Sequence, residues 1–85
     1  MNIVLRPSFV KNFERLDASV RRKFLERREL FETHPLHPLL NNHSLTAEYA
    51  GCRSINITGD YRAIYFMHGA TCIFIRIGTH PQLYE

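Results

Sequence analysis

The chain has 85 residues and a mass of 10.0 kDa, room for one domain with a modest apolar core but not for two joined by a linker. With 45% hydrophobic and 22% charged residues it resembles neither a disordered chain nor a fibre, so residues 1–85 are expected to fold as a single domain. No run approaches the ~20 apolar residues of a bilayer-crossing helix, and Arg6-Pro7 comes before a signal-peptide core could form; a cytoplasmic protein without a membrane partner is expected.

Eleven Lys and Arg against eight Asp and Glu leave a formal charge of +3 and a pI near 9.2, a balance that favours nucleic acid or an acidic protein as a partner. The excess is uneven: residues 1–42 hold eight basic and five acidic side chains, residues 43–85 three of each. Taken alone, such a surplus describes a solvated helix face.

In chain order, Asn2 to Arg6 is a short β-branched run stopped by Pro7, a first strand. Ser8 is expected to cap a short helix in which Phe9, Phe13 and Leu16 share one face. Asp17 is expected to cap a second helix from Ala18 to Thr33, with Val20, Phe24 and Phe31 on its apolar stripe and Arg21, Arg22, Lys23 and Arg28 largely off it. Arg27 interrupts the stripe, its stem expected along the seam and its guanidinium in water. The prolines of His34-Pro35-Leu36-His37-Pro38 end the helix, and an irregular connection follows. Cys52 to Ile57, Tyr61 to Met67 and Thr71 to Ile77 read as three strands joined at glycine-containing hairpin turns, Thr58-Gly59-Asp60 and His68-Gly69-Ala70. The fold class is therefore α+β: an N-terminal strand, a two-helix hairpin, then antiparallel strands forming one curved sheet with the helices on one face.

His34-x-x-His37 with His43 resembles part of a zinc site, but Cys52 and Cys72 are twenty residues apart and no second close ligand pair exists, so neither a metal nor a cofactor is expected. The two cysteines are read as small buried hydrophobes. No G-x-S-x-G elbow and no phosphate-cradling glycine loop is present. What remains is a set in the second half: His43, Arg53, Asn56, Asp60, Arg62, His80 and Tyr84, with Arg53, Arg62 and His80 expected to face one side of the sheet.

These residues carry a resemblance. His43-Ser44-Leu45-Thr46-Ala47-Glu48-Tyr49-Ala50-Gly51, followed by Arg53, Asp60-Tyr61-Arg62-Ala63-Ile64-Tyr65 and Arg76-Ile77-Gly78-Thr79-His80-Pro81-Gln82-Leu83-Tyr84, in this order, are similar to the RelE/ParE toxin superfamily and within it to the YafQ branch. The resemblance implies a RelE-like fold and a bacterial toxin that cuts messenger RNA in the ribosomal A site without a metal, partnered by an antitoxin. Position by position it implies that His43, Asp60 and His80 are catalytic, that Tyr84 fills an aromatic position, and that Arg62 stands where RelE-like members have a catalytic arginine. Asn56 departs from the YafQ pattern, which has a histidine there.

The chemistry agrees. RNA supplies its own nucleophile, the 2′-hydroxyl, so a ribonuclease needs a base for that proton, an acid for the leaving 5′-oxygen and cations for the charge building on phosphorus. Imidazole titrates near neutrality and guanidinium offers a charged fork. The expected assignment is His80 as acid, His43 or Asp60 as base or orienting partner, Arg62 supported by Arg53 on the phosphate with Asn56 also touching substrate, and Tyr84 stacking on a base. Under this resemblance Arg21, Arg22 and Lys23 become a face for ribosomal RNA, with steep salt dependence. Two rivals keep the fold: a ParE-type inhibitor of DNA gyrase, and a catalytically weak homologue that acts only by binding protein.

Overall fold

The computed structural model describes residues 1–84. β1 (Asn2–Leu5) leads into α1 (Pro7–Glu14) and α2 (Ala18–Thr33); a loop with a 3₁₀ turn at Pro38–Leu40 reaches β2 (His43–Ser44). A second 3₁₀ turn, Ala47–Tyr49, precedes β3 (Arg53–Asn56), β4 (Tyr61–His68), β5 (Thr71–Thr79) and α3 (His80–Tyr84). One five-stranded sheet results, in the order β1-β5-β4-β3-β2. β3, β4 and β5 are antiparallel, as their hairpin turns require. β1 adds to the β5 edge in parallel, Asn2 opposite Thr71 and Leu5 opposite Phe74, which is possible because the intervening chain is long enough to cross over.

Proline at the first helical position decides how α1 begins. It holds Arg6 extended (φ −67°, ψ 155°), so Arg6 rather than Ser8 is the N-cap, and no side chain caps the helix. Ser8 Oγ instead donates to Ile75 O at 2.7 Å. Asn12 Oδ1 accepts from Ile77 N at 3.4 Å. Both bonds satisfy β5 beyond Phe74, where its pairing with β1 ends. Asp17 does occupy the N-cap of α2, but through its backbone: its carbonyl accepts from Val20 N and Arg21 N at 3.0 Å, and its carboxylate makes no capping bond.

The helical layer covers one face of the sheet. Phe9, Phe24, Phe31 and Phe74 are fully buried there with Ile55, Ile57, Ala63, Tyr65, Cys72 and Ile77. Phe24 meets Phe9 at 5.0 Å between centroids and Phe74 edge-on at 5.5 Å, the tilted geometries that aromatic quadrupoles favour. The stripe of α2 read from the sequence therefore faces the sheet. Arg27, half-buried at the rim, donates to Leu39 O at 3.3 Å. Burial raises the Cys72 thiol from its ordinary 9.0 to about 12 and raises Cys52 as well; both cysteines are free.

Candidate active site

Side chains alternate across a strand, so the face away from the helices is set by parity. Asn56 pairs with Arg62, Arg62 with Gly78, and Ser54 with His43, which places all five on that face. Arg62 is its centre. Its Nε donates to Ser54 Oγ at 3.1 Å and its Nη2 to the same oxygen at 2.6 Å, while Nη1 donates to Asn56 Oδ1. Ser54 is completely buried, the one buried polar side chain among the described residues. Every acceptor of Arg62 is neutral, and no carboxylate pairs with it among the described residues. The guanidinium is thus held in place with its positive charge uncompensated.

His43 stands over this cation. Arg62 Nη2 lies 3.1 Å from its Nδ1 and 3.5 Å from its Nε2, and Asn41 O lies 2.9 Å from Nδ1. A carbonyl only accepts and a guanidinium only donates, so Nδ1 serves Asn41 when it carries the proton and Arg62 when it does not; with the proton on Nδ1, the Nε2 lone pair faces Arg62 Nη2. Asn41 reaches this position in the left-handed region (φ 41°), where asparagine is tolerated better than most residues.

His80 and Tyr84 arrive on α3. Thr79 and Gln82 bracket its start reciprocally: Gln82 Oε1 accepts from Thr79 N at 2.9 Å and Thr79 Oγ1 from Gln82 N at 3.5 Å, the T-x-x-Q capping box. Gly78 leaves room for this arrangement, since a Cβ would lie 2.9 Å from Gln82 Oε1 and 3.3 Å from Gln82 Cβ and would displace the Gln82 side chain from Thr79 N. The His80 ring packs on Tyr84 at 4.7 Å between centroids, and Tyr49 meets Tyr84 edge-on at 5.8 Å. Tyr49 OH donates to Leu83 O at 3.1 Å. Arg76 ties the assembly together, donating from Nη1 to Tyr49 OH at 3.1 Å, from Nη2 to Gln82 O at 3.2 Å and from Nε to Asn12 Oδ1 at 3.2 Å. His43, Leu45, Arg62, His80 and Tyr84 line one cleft.

The other expected residues fall elsewhere. Asp60 is exposed in the β3–β4 turn and shares a neighbouring cleft with His80, not with His43. Arg53 faces the helices, opposite Tyr65, because it is one residue out of step with Ser54. Its Nε donates to Asn42 Oδ1 at 2.8 Å, and Asn42 Nδ2 donates to Tyr65 OH at 2.8 Å and Pro35 O at 2.9 Å. Burial pushes the Tyr65 hydroxyl pKa up, against the opposing pull of Asn42 and Arg53. Arg53 therefore braces the α2–β2 connection, away from the Arg62 cleft. Arg21, Arg22 and Lys23 lie on α2, across the sheet from the cleft; Arg21 donates to Leu16 O and Lys23 pairs with Glu26 at 3.3 Å. His37 Nδ1 accepts from Leu39 N at 3.1 Å and His34 Nδ1 lies 3.0 Å from Thr33 Oγ1; no three His, Cys, Asp or Glu side chains converge among the described residues. Ser54 and Asn41 escaped the sequence reading, since nothing in their own residue types marks them, and Arg76 entered it only as part of the stretch leading to His80, with no role of its own.

Residues 1–85 match the family model for the YafQ bacterial toxin of type II toxin-antitoxin systems. The chain belongs to the YafQ toxin family. Its fold is that of YafQ from E. coli strain BL21(DE3), with a TM-score of 0.82 and 23% identity over 99% of this chain and 98% of that one. It is also similar to a YoeB/ParE toxin from Agrobacterium tumefaciens, with a TM-score of 0.79 and 25% identity over 94% of this chain and 99% of that one. The toxin in the E. coli DinJ-YafQ complex gives a TM-score of 0.74 and 25% identity over 99% and 98% of the two chains. No curated protein sequence matches it. The YafQ toxin fold thus brings His43, Arg62, His80 and Tyr84 to one cleft and leaves Arg53 on the opposite face.

Proposed function

We propose that this YafQ-family toxin is an endoribonuclease that cuts messenger RNA in the ribosomal A site, stops translation in the cytoplasm, and is restrained by a cognate antitoxin. The observation that carries this reading is Arg62: a fixed guanidinium, held only by neutral acceptors, beside an imidazole and in one cleft with a second imidazole and a tyrosine. A cation arranged in this way is suited to a phosphate, and two imidazoles supply the acid and base that internal attack by a 2′-hydroxyl needs.

In the reaction His43 Nε2 takes the proton of the 2′-hydroxyl, whose oxygen attacks the adjacent phosphorus. Arg62 stabilises the charge gathering on the non-bridging oxygens, and His80 gives a proton to the departing 5′-oxygen. The products are a 2′,3′-cyclic phosphate and a 5′-hydroxyl. Asp60, which lines a common cleft with His80 at the sheet end, adds a negative charge that favours the imidazolium form of that histidine. Tyr84, steadied by Tyr49, stacks a base of the codon. Asn56 acts through Arg62. The basic face of α2, across the sheet, meets ribosomal RNA through the exposed Arg22 and through Arg21 and Lys23, the last exchanging Glu26 for phosphate. The antitoxin proposal rests on complexes such as DinJ-YafQ.

Primer extension on a defined messenger in a reconstituted translation system tests the reading, with wild type, His80→Ala, a chelator arm and a control without ribosomes. Cleavage that requires ribosomes, persists with chelator and falls at least 100-fold in the variant is expected, since removal of a general acid typically forfeits about 10²–10⁴ in rate. A folded wild type that leaves the messenger intact but blocks gyrase supercoiling would overturn it in favour of the ParE-type activity.

A further inference from the structure

A second arginine is built like Arg62. Arg76 is half-buried, its three nitrogens donate to Asn12 Oδ1, Tyr49 OH and Gln82 O, and no carboxylate pairs with it among the described residues. A guanidinium has five N–H groups, so these three bonds leave one hydrogen on each terminal nitrogen for a ligand. Arg76 lines a cleft of about 260 Å³ with Asn12, Arg15, Leu16, Tyr61, Ile77 and Gln82. Arg15 is exposed, and no acidic side chain lines the cleft. Two cations, an asparagine and a glutamine around a small recess are the partners that a phosphate takes.

The position of the cleft indicates which phosphate. Tyr61 lines this cleft and also the one that holds His80 and Asp60, and His80 in turn lines the cleft of His43 and Arg62, so the three clefts adjoin through shared residues. We infer that the Arg15–Arg76 cleft is a second phosphate subsite, which grips the backbone of the RNA strand outside the bond that is cut. The inference rests on the nuclease reading and assigns it a second contact with the same substrate. Arg76 supplies a fixed charge, and the exposed Arg15 adds a second one at the rim of the recess.

The test is the affinity of a fluorescent single-stranded 2′-O-methyl oligoribonucleotide, whose blocked nucleophile prevents cleavage, measured by anisotropy across a salt series. Arg15→Gln removes an exposed charge and no hydrogen bond of the fold. It is expected to lower the slope of log affinity against log salt by about 0.7, the value of one single-strand phosphate contact, equivalent to about five-fold weaker binding at 0.1 M salt relative to 1 M. Lys11→Gln, which removes the same charge from α1, one turn before Arg15 and outside the cleft, is expected to leave the slope unchanged. Arg62→Gln reports on the catalytic cleft separately. Loss with Arg62→Gln but not with Arg15→Gln would overturn the subsite and leave the nuclease reading standing. Loss with Arg15→Gln alone would keep the subsite and remove the Arg62 cleft from RNA binding, and no binding by wild type would overturn the subsite while the nuclease reading stands or falls by the primer-extension assay. If a polyglutamate peptide, but not the oligonucleotide, loses affinity with Arg15→Gln, the cleft belongs to an acidic protein partner and the inference falls.

Discussion

Ser54→Ala is the sharpest perturbation of the site, because it changes one buried oxygen and nothing at the surface. That oxygen accepts from Arg62 Nε at 3.1 Å and Nη2 at 2.6 Å. Hydrogen bonds to a charged group contribute about 1.5–3 kcal/mol. Water can reach the outer edge of a half-buried guanidinium, which favours the lower end, about 1.5 kcal/mol; for a domain of this size that is a fall in Tm of roughly 6–12 °C. Freed from Ser54, the guanidinium keeps only the Asn56 and Asn41 contacts and its place beside His43, so kcat in the primer-extension assay should drop by about ten-fold or more, the equivalent of about 1.4 kcal/mol in the barrier. Ser54→Thr separates the two effects. It retains the hydroxyl but crowds a fully buried position with a methyl group, an overpacking that costs about 1–3 kcal/mol. Its Tm should therefore fall while kcat stays near wild type. A folded Ser54→Ala protein that cleaves at the wild-type rate would refute the argument that a fixed, uncompensated Arg62 drives the reaction.

Gly78→Ala should misplace α3 without emptying the core. The new Cβ would press on Gln82, 2.9 Å from Oε1, and break the bond from Thr79 N that opens the helix. A loss of about 1–3 kcal/mol is expected in chemical denaturation, together with a kcat deficit larger than that of an exposed substitution such as Lys11→Gln. The Cys72 thiol gives a stability signature at alkaline pH. Burial raises its pKa from 9.0 to about 12, so the native state keeps the proton that the unfolded chain releases. The resulting stability is fully present below pH 9 and is lost as pH rises from there towards 12, on the order of 1 kcal/mol for each pH unit. Urea denaturation of wild type and Cys72→Ala between pH 8 and 10.5 checks it: the wild-type slope against pH should be the steeper, and equal slopes would refute it.

α1, α2, β4 and β5 were legible because each has many residues repeating one period, and the four-residue β3 because the Gly59 turn joins it to β4. Phe9, Phe13, Val20, Phe24 and Phe31 mark the faces of α1 and α2, and glycine marks the two hairpin turns. β2 is two residues long, below the length at which alternation can show, and only its pairing with Arg53 and Ser54 makes it a strand. α3 did carry a signal, Thr79 with Gln82 three residues on, but it is short and follows directly on β5, so His80 read as leaving a strand. Ser8 illustrates the limit of local rules: a residue suited to capping is used instead to close a sheet edge that exists only after β1 has paired.

The sequence by itself determined the order of elements, the apolar faces and the motifs that resemble the YafQ branch, because periodicity and residue type are local properties that survive in the unfolded chain. It placed Arg53 and Arg62 together as phosphate ligands. Only the folded sheet separated them, since the register that sets Arg62 opposite Asn56 turns Arg53 to the helix side and gives it to Asn42. The same register buries Ser54 beneath Arg62 and brings His43 over it from a strand of two residues. Which charges are free, which are fixed and which histidine stands near them depends on contacts between residues far apart in the chain, and those contacts come into being only when the core of four phenylalanines closes.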